Sequence, residues 1–336
     1  MIGIGTAKKR EWTGTLRGLS PRSQNRREFF ASMAMLAAGC VPSRAVGAMN
    51  AAEWSLDDKL RLRMKCLMLA EPIKVWVVGD THLGLHDGRD DAYTANYRRM
   101  AQWPGDPEAF AKMLSDAKSA GVDLLVLVGD IISFPTLANV EFVKRMLDES
   151  GVPWLYTAGN HDWHFEGDSG SGAEQRSRWI EKRLTGLYPK GVNPLCYSHV
   201  VKGVRFVMID DSDYLMTREQ VKFWSAEASH GDPIVLSMHI PIWTEGWSKR
   251  SCLGCPEWGA AIDPYWEIEQ RERWPEKATP ETFGFVDAVL STPNLVAVMT
   301  GHIHSFMAAR VRGQNMFSVP ANRNGSRLEL NLVPQD

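Results

Sequence analysis

The sequence is poor in cysteine, in long apolar runs and in low-complexity segments. It contains five cysteines in 336 residues, four of them after Cys40. Cys252 and Cys255 (CLGC) do not suffice for a structural zinc site, which needs a second pair of ligands, so they are interpreted as a local disulfide or as free thiols. The apolar run 29–39 is shorter than the roughly 20 residues that cross a bilayer. The remaining composition, 44% hydrophobic and 23% charged, is that of a globular protein with one large domain or two small ones.

The first 48 residues have the layout of a secretory signal. Arg26 and Arg27 precede a short apolar run and then small residues, an arrangement that resembles the bacterial twin-arginine export signal. Cleavage after Ala48 would leave the mature protein in the periplasm. In a second interpretation, LAAGC is a lipoprotein site and Cys40 anchors the protein to a membrane. An amphipathic N-terminal helix of the fold is a third possibility.

Removal of this segment makes the protein clearly acidic. Residues 1–48 contain eight Lys or Arg and two Asp or Glu, so their loss takes the formal net charge from −2 to −8. Broad nucleic-acid binding depends on neutralising phosphates with Lys and Arg. The charge therefore argues against a stable nucleic-acid partner.

Short apolar runs alternate with helical patterns along the rest of the chain, without an internal repeat of fixed period. Strands are predicted at 73–80, 122–130, 152–162, 203–209 and 233–239, and a last one from Val296. Helices are predicted from the cap Asp106-Pro107 to Gly121, at 139–149, after the capping box Thr217…Gln220, and at 280–290. Strands interleaved with helices indicate an α/β architecture.

Five of the predicted strands end in polar residues that can bind metal. These ends are Asp80-Thr81-His82, Asp130, Asn160-His161-Asp162, His239 and His302-Ile303-His304. Ligands of open α/β sheets bind at the carboxyl ends of strands, so we expect the five ends to converge on one site. Carboxylate, amide and imidazole groups without thiolates suit Mn, Fe or Zn and argue against copper(I) or an iron–sulfur cluster.

Taken together, these blocks resemble the calcineurin-like metallophosphoesterase superfamily. The motifs, in chain order, are D-x-H at Asp80 and His82, G-D at Gly129 and Asp130, G-N-H-D at 159–162, His239, and G-H-x-H at 301–304. The resemblance covers residues 74–304. It implies a four-layer α/β/β/α sandwich, in which two mixed sheets are flanked by helices and a dinuclear metal site lies at the carboxyl ends of the strands. The expected domain spans 72–333.

The resemblance also implies a role for each motif residue. The implied ligands of two divalent ions (Mn, Fe, Zn or a mixture) are Asp80, His82 and His304 for one, Asn160, His239 and His302 for the other, and Asp130 bridging both. A metal-bridging hydroxide would attack the phosphorus of a small phosphate ester. His161 would stand beside the site and either protonate the leaving alkoxide or steady the phosphoryl group, and Asp162 would orient His161.

Departures from the pattern narrow the choice of subfamily. Ser133 and Phe134 stand where protein Ser/Thr phosphatases carry Asp and Arg, and Ser133 also replaces the tyrosine ligand of purple acid phosphatases. Phosphodiesterases of the cyclic-nucleotide type are the nearest match. The stretch DTHLG is similar to nuclease subunits that process DNA breaks, although the acidic charge and the export signal argue against a nuclease. A binding protein without activity and a protein with one structural metal are the remaining alternatives.

Two segments carry open interpretations. The insertion at about 243–278 is rich in tryptophan, and it either forms an aromatic wall of the substrate pocket or packs as a small core of its own. The tryptophans concerned are Trp243, Trp247, Trp258 and Trp266. The stretch ANRNG at 321–325 is either a turn or a loop that contacts the phosphate.

Overall fold

The computed structural model describes residues 52–94, 104–165, 168–249, 251–258 and 274–335. The predicted signal segment 1–48, with Cys40, and Trp266 lie outside the described residues. Within the described ranges, no helix is both long enough and apolar enough to cross a bilayer.

Two mixed sheets of six strands each form the centre of the fold. The first contains β1 (Trp54–Leu56), β2 (Arg61–Cys66), β3 (Ile73–Val78), β4 (Leu124–Val128), β5 (Trp154–Thr157) and β12 (Leu328–Pro334), in the order β1-β2-β12-β3-β4-β5. The second contains β6 (Cys196–Val201), β7 (Val204–Ile209), β8 (Ile234–Ser237), β9 (Leu295–Thr300), β10 (Met307–Val311) and β11 (Gln314–Ser318), in the order β10-β11-β9-β8-β7-β6. Strands β3, β4 and β5 run parallel, as do β7, β8, β9 and β11.

Most of the helices connect parallel strands, and one lies between β5 of the first sheet and β6 of the second. They are α1 (Pro107–Ser119), α2 (Leu137–Ser150), α3 (Gly172–Lys182), α4 (Arg218–Ala228) and α5 (Pro280–Leu290), with a single helical turn at Asp91–Thr94 and a 3₁₀ turn at Leu184–Leu187. Helices α1 and α2 link strands of the first sheet and contact each other, and α4 and α5 do the same for the second sheet. The predicted four-layer α/β/β/α sandwich is confirmed.

The sequence explains why these segments adopt these structures. Helix α1 is capped by Asp106, whose carboxylate accepts a hydrogen bond from the backbone N–H of Glu108, and Pro107 is its first residue. Helix α4 begins with the predicted capping box of Thr217 and Gln220. Strand β4 (LLVLV) is buried at every position, because a parallel strand between helices and a second sheet is covered on both faces.

All the predicted helices and strands are present, and the described residues form further ones, of which β1, β6 and β10 lie at sheet edges. The predictions do not include β1, β2, β6, β10, β11, β12 and α3. In β2, charged and buried side chains alternate (RLRMKC), because only one face of the strand is covered. Strand β12 pairs with both β2 and β3, so the first sheet extends to Trp54, well before residue 72.

Candidate metal centre

The seven predicted ligands lie in the loops that follow β3, β4, β5, β8 and β9. Each ligand lies within a few residues of the end of its strand. Because neighbouring strands of a sheet run parallel, these ends meet at one edge. Six of the seven side chains belong to two overlapping groups whose potential ligand atoms lie within 4.8 Å of one another, Asp80, His82, Asp130 and His304 in one and Asp130, His239 and His302 in the other. The expected convergence therefore occurs.

The first group brings together four side chains from three loops, with Asp80 and His82 in the same one. The Nε2 atoms of His82 and His304 are 2.9 Å apart, and Nε2 of His304 is 3.4 Å from a carboxylate oxygen of Asp80. Nε2 of His82 is 3.8 Å from Oδ2 of Asp130. His304 is the most accessible of these, with 39% of its side chain exposed. The group therefore lies close to the protein surface on the His304 side.

The second group is deeper. Nε2 of His239 lies 3.3 Å from Oδ2 of Asp130, 3.2 Å from Nδ1 of His302 and 3.2 Å from Oδ1 of Asn160. Nδ1–H of His239 donates to the carbonyl of Val128 at 2.8 Å. Since a carbonyl only accepts, this bond places the proton on Nδ1 and directs Nε2 into the group.

The backbone at this site is held in an unusual conformation. Ten non-glycine residues among those described have positive φ, and half of them are predicted ligands, namely Asp80, His82, Asp130, His302 and His304. The turns also require glycine, since a Cβ on Gly159 would lie 2.2 Å from Oδ1 of Asp130. Non-glycine residues keep this conformation only where their surroundings impose it, and such strain concentrates at functional sites.

The electrostatics of the cluster favour a bound cation. Burial opposes the charged form of His239, but Asp130 and Asp80 outweigh it and raise the pKa of His239 to about 10. Burial also raises the pKa of Asp130, but nearby histidines, His239 above all, hold it well below its usual value. Burial, with the charge of Asp130, raises the pKa of Asp80 to about 8. Two buried carboxylates amid four imidazoles have the chemistry that hard and borderline divalent ions prefer, so the residues fit a divalent metal ion.

His161 and Asp162 lie beside the cluster, but not in the predicted relation to each other. The ring of His161 meets that of His82 edge to face, with centroids 4.8 Å apart. Nδ1 of His161 is buried and has no hydrogen-bond partner. The Asp162 carboxylate instead accepts from the backbone N–H groups of Gly159, Asp130 and Ile132, at 2.7, 2.9 and 2.9 Å. In place of the expected contact with the ring, Asp162 holds the backbone of the Asp130 loop.

Four further residues contact the predicted ligands but belong to none of the sequence motifs. Ser133 donates from Oγ to the carbonyl of His82 at 2.9 Å. Oδ1 of Asp211 accepts from the backbone N–H of His239 at 3.0 Å. The other two are Tyr214, which contacts His302, and Arg323, which contacts His304. The stretch DDSDY at 210–214 follows β7, a parallel neighbour of β8, so the rule that identified the motif residues also applies to it.

The described part of the tryptophan-rich insertion packs towards this site. Trp258 is buried and stacks on Tyr214 with ring centroids 4.4 Å apart, and Trp247 is also buried while Trp243 is partly buried. Cys252 and Cys255 are buried free thiols rather than a disulfide. Neither of the potential metal-holding groups among the described residues includes a cysteine.

Comparison with known proteins defines the class. The family model of calcineurin-like phosphoesterases matches residues 73–306. The chain therefore belongs to the calcineurin-like phosphoesterase family. Family membership and the donor set together support a metal-dependent hydrolase.

Individual relatives resemble parts of the chain. The DNA double-strand break repair protein Mre11 of Haloferax volcanii is 30% identical over 139 residues, which are 39% of this chain and 26% of that protein. A probable cyclic nucleotide phosphodiesterase of Psychrobacter sp. (strain PRwf-1) is 25% identical over 63% of this chain and 56% of its own length. The chain thus spans about a quarter of the first relative and about half of the second.

Solved structures show more distant likenesses. A dimetal phosphatase from Danio rerio aligns over 74% of this chain and 87% of its own, with 13% identity and a TM-score of 0.45. The purple acid phosphatase PPD1 of Lupinus luteus aligns over 82% and 48%, with 12% identity and a TM-score of 0.49.

Proposed function

We propose that this protein is a dinuclear metal-dependent phosphoesterase that hydrolyses small phosphate esters, phosphodiesters before monoesters. The observation that carries the proposal is the position of Asp130, which belongs to both ligand groups. A carboxylate shared in this way can bridge two ions and keep them close together. The preference for diesters rests on the likeness to the probable cyclic nucleotide phosphodiesterase of Psychrobacter sp. (strain PRwf-1).

A pair of divalent ions at this site would supply Lewis acidity for attack by water at phosphorus and would offset charge on the phosphoryl oxygens. The Asn160 amide and the carboxylates and imidazoles of the two groups would hold the ions. The hydrogen bond of His239 to Val128 and the three bonds of Asp162 keep this arrangement in place without substrate. Preorganisation of this kind lowers the reorganisation needed when charge develops in the transition state.

His161 is the residue that we assign to proton transfer. Its ring is half-buried beside His82, and no hydrogen bond of Nδ1 fixes its tautomer. The imidazole can therefore hold a proton and deliver it to the leaving alkoxide, a role that contributes typically 10²–10⁴-fold to a rate.

Arg323 is the residue that we assign to binding the phosphate. Nη2 lies 3.3 Å from Nδ1 of His304, on the accessible side of the site, and no carboxylate of the described residues forms an ion pair with it. If Nε2 of His304 were to hold a metal ion, the proton of the ring would lie on Nδ1 and Arg323 could no longer donate to it. Its guanidinium is then available for a phosphoryl oxygen, which favours the loop interpretation of 321–325 over a simple turn.

The test combines metal analysis with hydrolysis of bis-p-nitrophenyl phosphate and of the p-nitrophenyl monoester. We expect about two metal ions per chain and diester cleavage that Mn²⁺ stimulates. One tightly held ion without turnover would favour a structural metal and refute the proposal. Two ions without turnover on either ester would favour a binding protein that keeps the fold.

A nuclease is the second candidate, because the stretch of 139 residues similar to the Haloferax Mre11 protein raises it specifically. Both functions cleave phosphodiesters, so the distinction lies in the substrate. Incubation with single-stranded and double-stranded DNA in Mn²⁺ separates them. Degradation of DNA at rates comparable to the small diester would favour the nuclease.

For the location of the protein, our proposal is export through the twin-arginine route to the periplasm. The support is the sequence of residues 1–48 alone. Lipid attachment at Cys40 is the alternative, and mass analysis of the mature N-terminus distinguishes a chain that begins after Ala48 from one that begins with a lipidated cysteine.

A further inference from the structure

Tyr214 contacts one nitrogen of the His302 ring, and the other nitrogen of that ring faces the second ligand group. The phenolic oxygen lies 2.7 Å from Nε2 of His302. Nδ1 of the same ring is 3.2 Å from Nε2 of His239, inside the second ligand group. If Nδ1 binds a metal, Nε2 carries the proton and donates to the tyrosine oxygen. The hydrogen bond therefore selects both the tautomer and the orientation of His302.

The tyrosine is itself held rigidly. It is 1% exposed, its ring stacks on Trp258 with an interplanar angle of 15°, and the ring of Trp274 is perpendicular to it with centroids 6.1 Å apart. Its backbone N–H donates to the carbonyl of Asp211 at 2.8 Å and its φ is 63°, in the left-handed region. A β-turn that forces a bulky residue into this region is costly, so the surroundings must impose it.

The same short loop also holds the other histidine of the second group. Oδ1 of Asp211 accepts from the backbone N–H groups of His239 and Ile240, at 3.0 and 3.1 Å. The histidines of the first group are held by other parts of the chain, since Ser133 contacts the backbone of His82 and Arg323 the ring of His304. Loop 210–214 therefore acts on the second ligand group and not on the first.

We infer that loop 210–214 is a positioning element for the second metal, in which Tyr214 sets His302 and Asp211 sets His239. The inference rests on the proposed dinuclear function, because it assigns the loop to only one of two metals. Groups that orient a ligand in this way typically contribute 10–100-fold to metal affinity. The insertion has a consequent role, since Trp258 supports the tyrosine and need not contact the substrate.

The experiment titrates Mn²⁺ into metal-free wild-type protein and into Tyr214→Phe by calorimetry, with the metal content confirmed by elemental analysis. The substitution removes only the hydroxyl group. We expect the affinity of one of two sites to fall about 10–100-fold while the other keeps its wild-type value. If Tyr214→Phe bound Mn²⁺ at both sites with the same affinities as the wild type, the inference would be overturned.

Tyr197→Phe is the matched control. The Tyr197 hydroxyl is also buried, but its two hydrogen bonds go to the backbone of Tyr156. It should leave both metal affinities unchanged. A similar loss at one metal site in this control would show that any buried hydroxyl produces the effect, which would also overturn the inference.

A second variant covers the case in which Tyr214→Phe does not fold. Trp258→Leu leaves the hydroxyl in place but removes the ring that supports it, so the same site should weaken, to a smaller degree. An unchanged second site would refute the positioning role. If the wild type itself binds fewer than two ions, the dinuclear function fails first, so the two failures are distinguishable.

Discussion

Replacement of Asp162 should destabilise the metal-free protein strongly, although this residue is not a predicted ligand. Its buried carboxylate accepts three backbone N–H groups, those of Gly159, Asp130 and Ile132. Asp162→Ala leaves these donors buried without partners, at about 1–3 kcal/mol each. A water molecule in the vacated space can restore part of the loss. The expected decrease in the free energy of unfolding is therefore about 3–6 kcal/mol.

Asp162→Asn should be less severe, because the amide keeps one acceptor oxygen. If that oxygen faces Gly159 and Asp130, the NH₂ group faces Ile132 and one hydrogen bond is lost, at about 1–3 kcal/mol. Asp123→Ala is the control. Its carboxylate also accepts a backbone N–H, that of Lys74, but it is partly exposed, so the cost should stay below about 1 kcal/mol.

The assay is urea denaturation in EDTA, followed by the fluorescence of the 13 tryptophans. Without metal, the three variants report on the loop alone. We expect the order Asp162→Ala, Asp162→Asn, Asp123→Ala from most to least destabilised. If Asp162→Ala unfolds within about 1 kcal/mol of Asp123→Ala, the three hydrogen bonds do not stabilise the loop as argued.

Four further outcomes test the site and the export signal. Asp130→Ala should lower the metal content at both sites, because its carboxylate belongs to both groups; elemental analysis that shows loss of only one ion would contradict this. His161→Ala should keep both ions and lose about 10²–10⁴-fold in turnover of the diester, and near wild-type activity would remove its role in proton transfer. Arg323→Ala should raise KM more than it lowers kcat, with Arg323→Lys intermediate, whereas an unchanged KM would argue against phosphate binding. Arg26→Lys with Arg27→Lys should retain the protein in the cytoplasm on fractionation, and normal export would refute the twin-arginine assignment.

The repeating layout of the chain was predictable because it depends on local pattern. The parallel strands are covered on both faces and therefore read as continuous apolar runs, as in Leu124–Val128. The helices were predictable from the residues at their N-termini, such as the cap Asp106-Pro107. Strands such as Arg61–Cys66 were not predicted, because they alternate charged and apolar residues and depend for their burial on a distant partner strand, Leu328–Pro334.

The loop 210–214 shows a different limit. Its residues carry no motif, and Tyr214 meets a histidine 88 positions later in the chain. The tendency of ligands to bind at the carboxyl ends of strands could have identified this loop as part of the site. It could not have shown that the loop contacts His302 and His239. The contact expected between Asp162 and His161 was also inferred from closeness in sequence. In the structure, the Asp162 carboxylate accepts hydrogen bonds from the backbone of Asp130, Ile132 and Gly159 instead.

Local spacing alone thus identified which residues could gather at one site, because a strand end places its following residues at the edge of the sheet regardless of what lies opposite. Only the tertiary structure decided which nitrogen of each histidine faces the cluster and which groups hold it there. These choices depend on contacts between distant segments, such as His239 with Val128 and His302 with Tyr214. Periodicity records which face of an element is buried, and it contains no information about the partner that buries it.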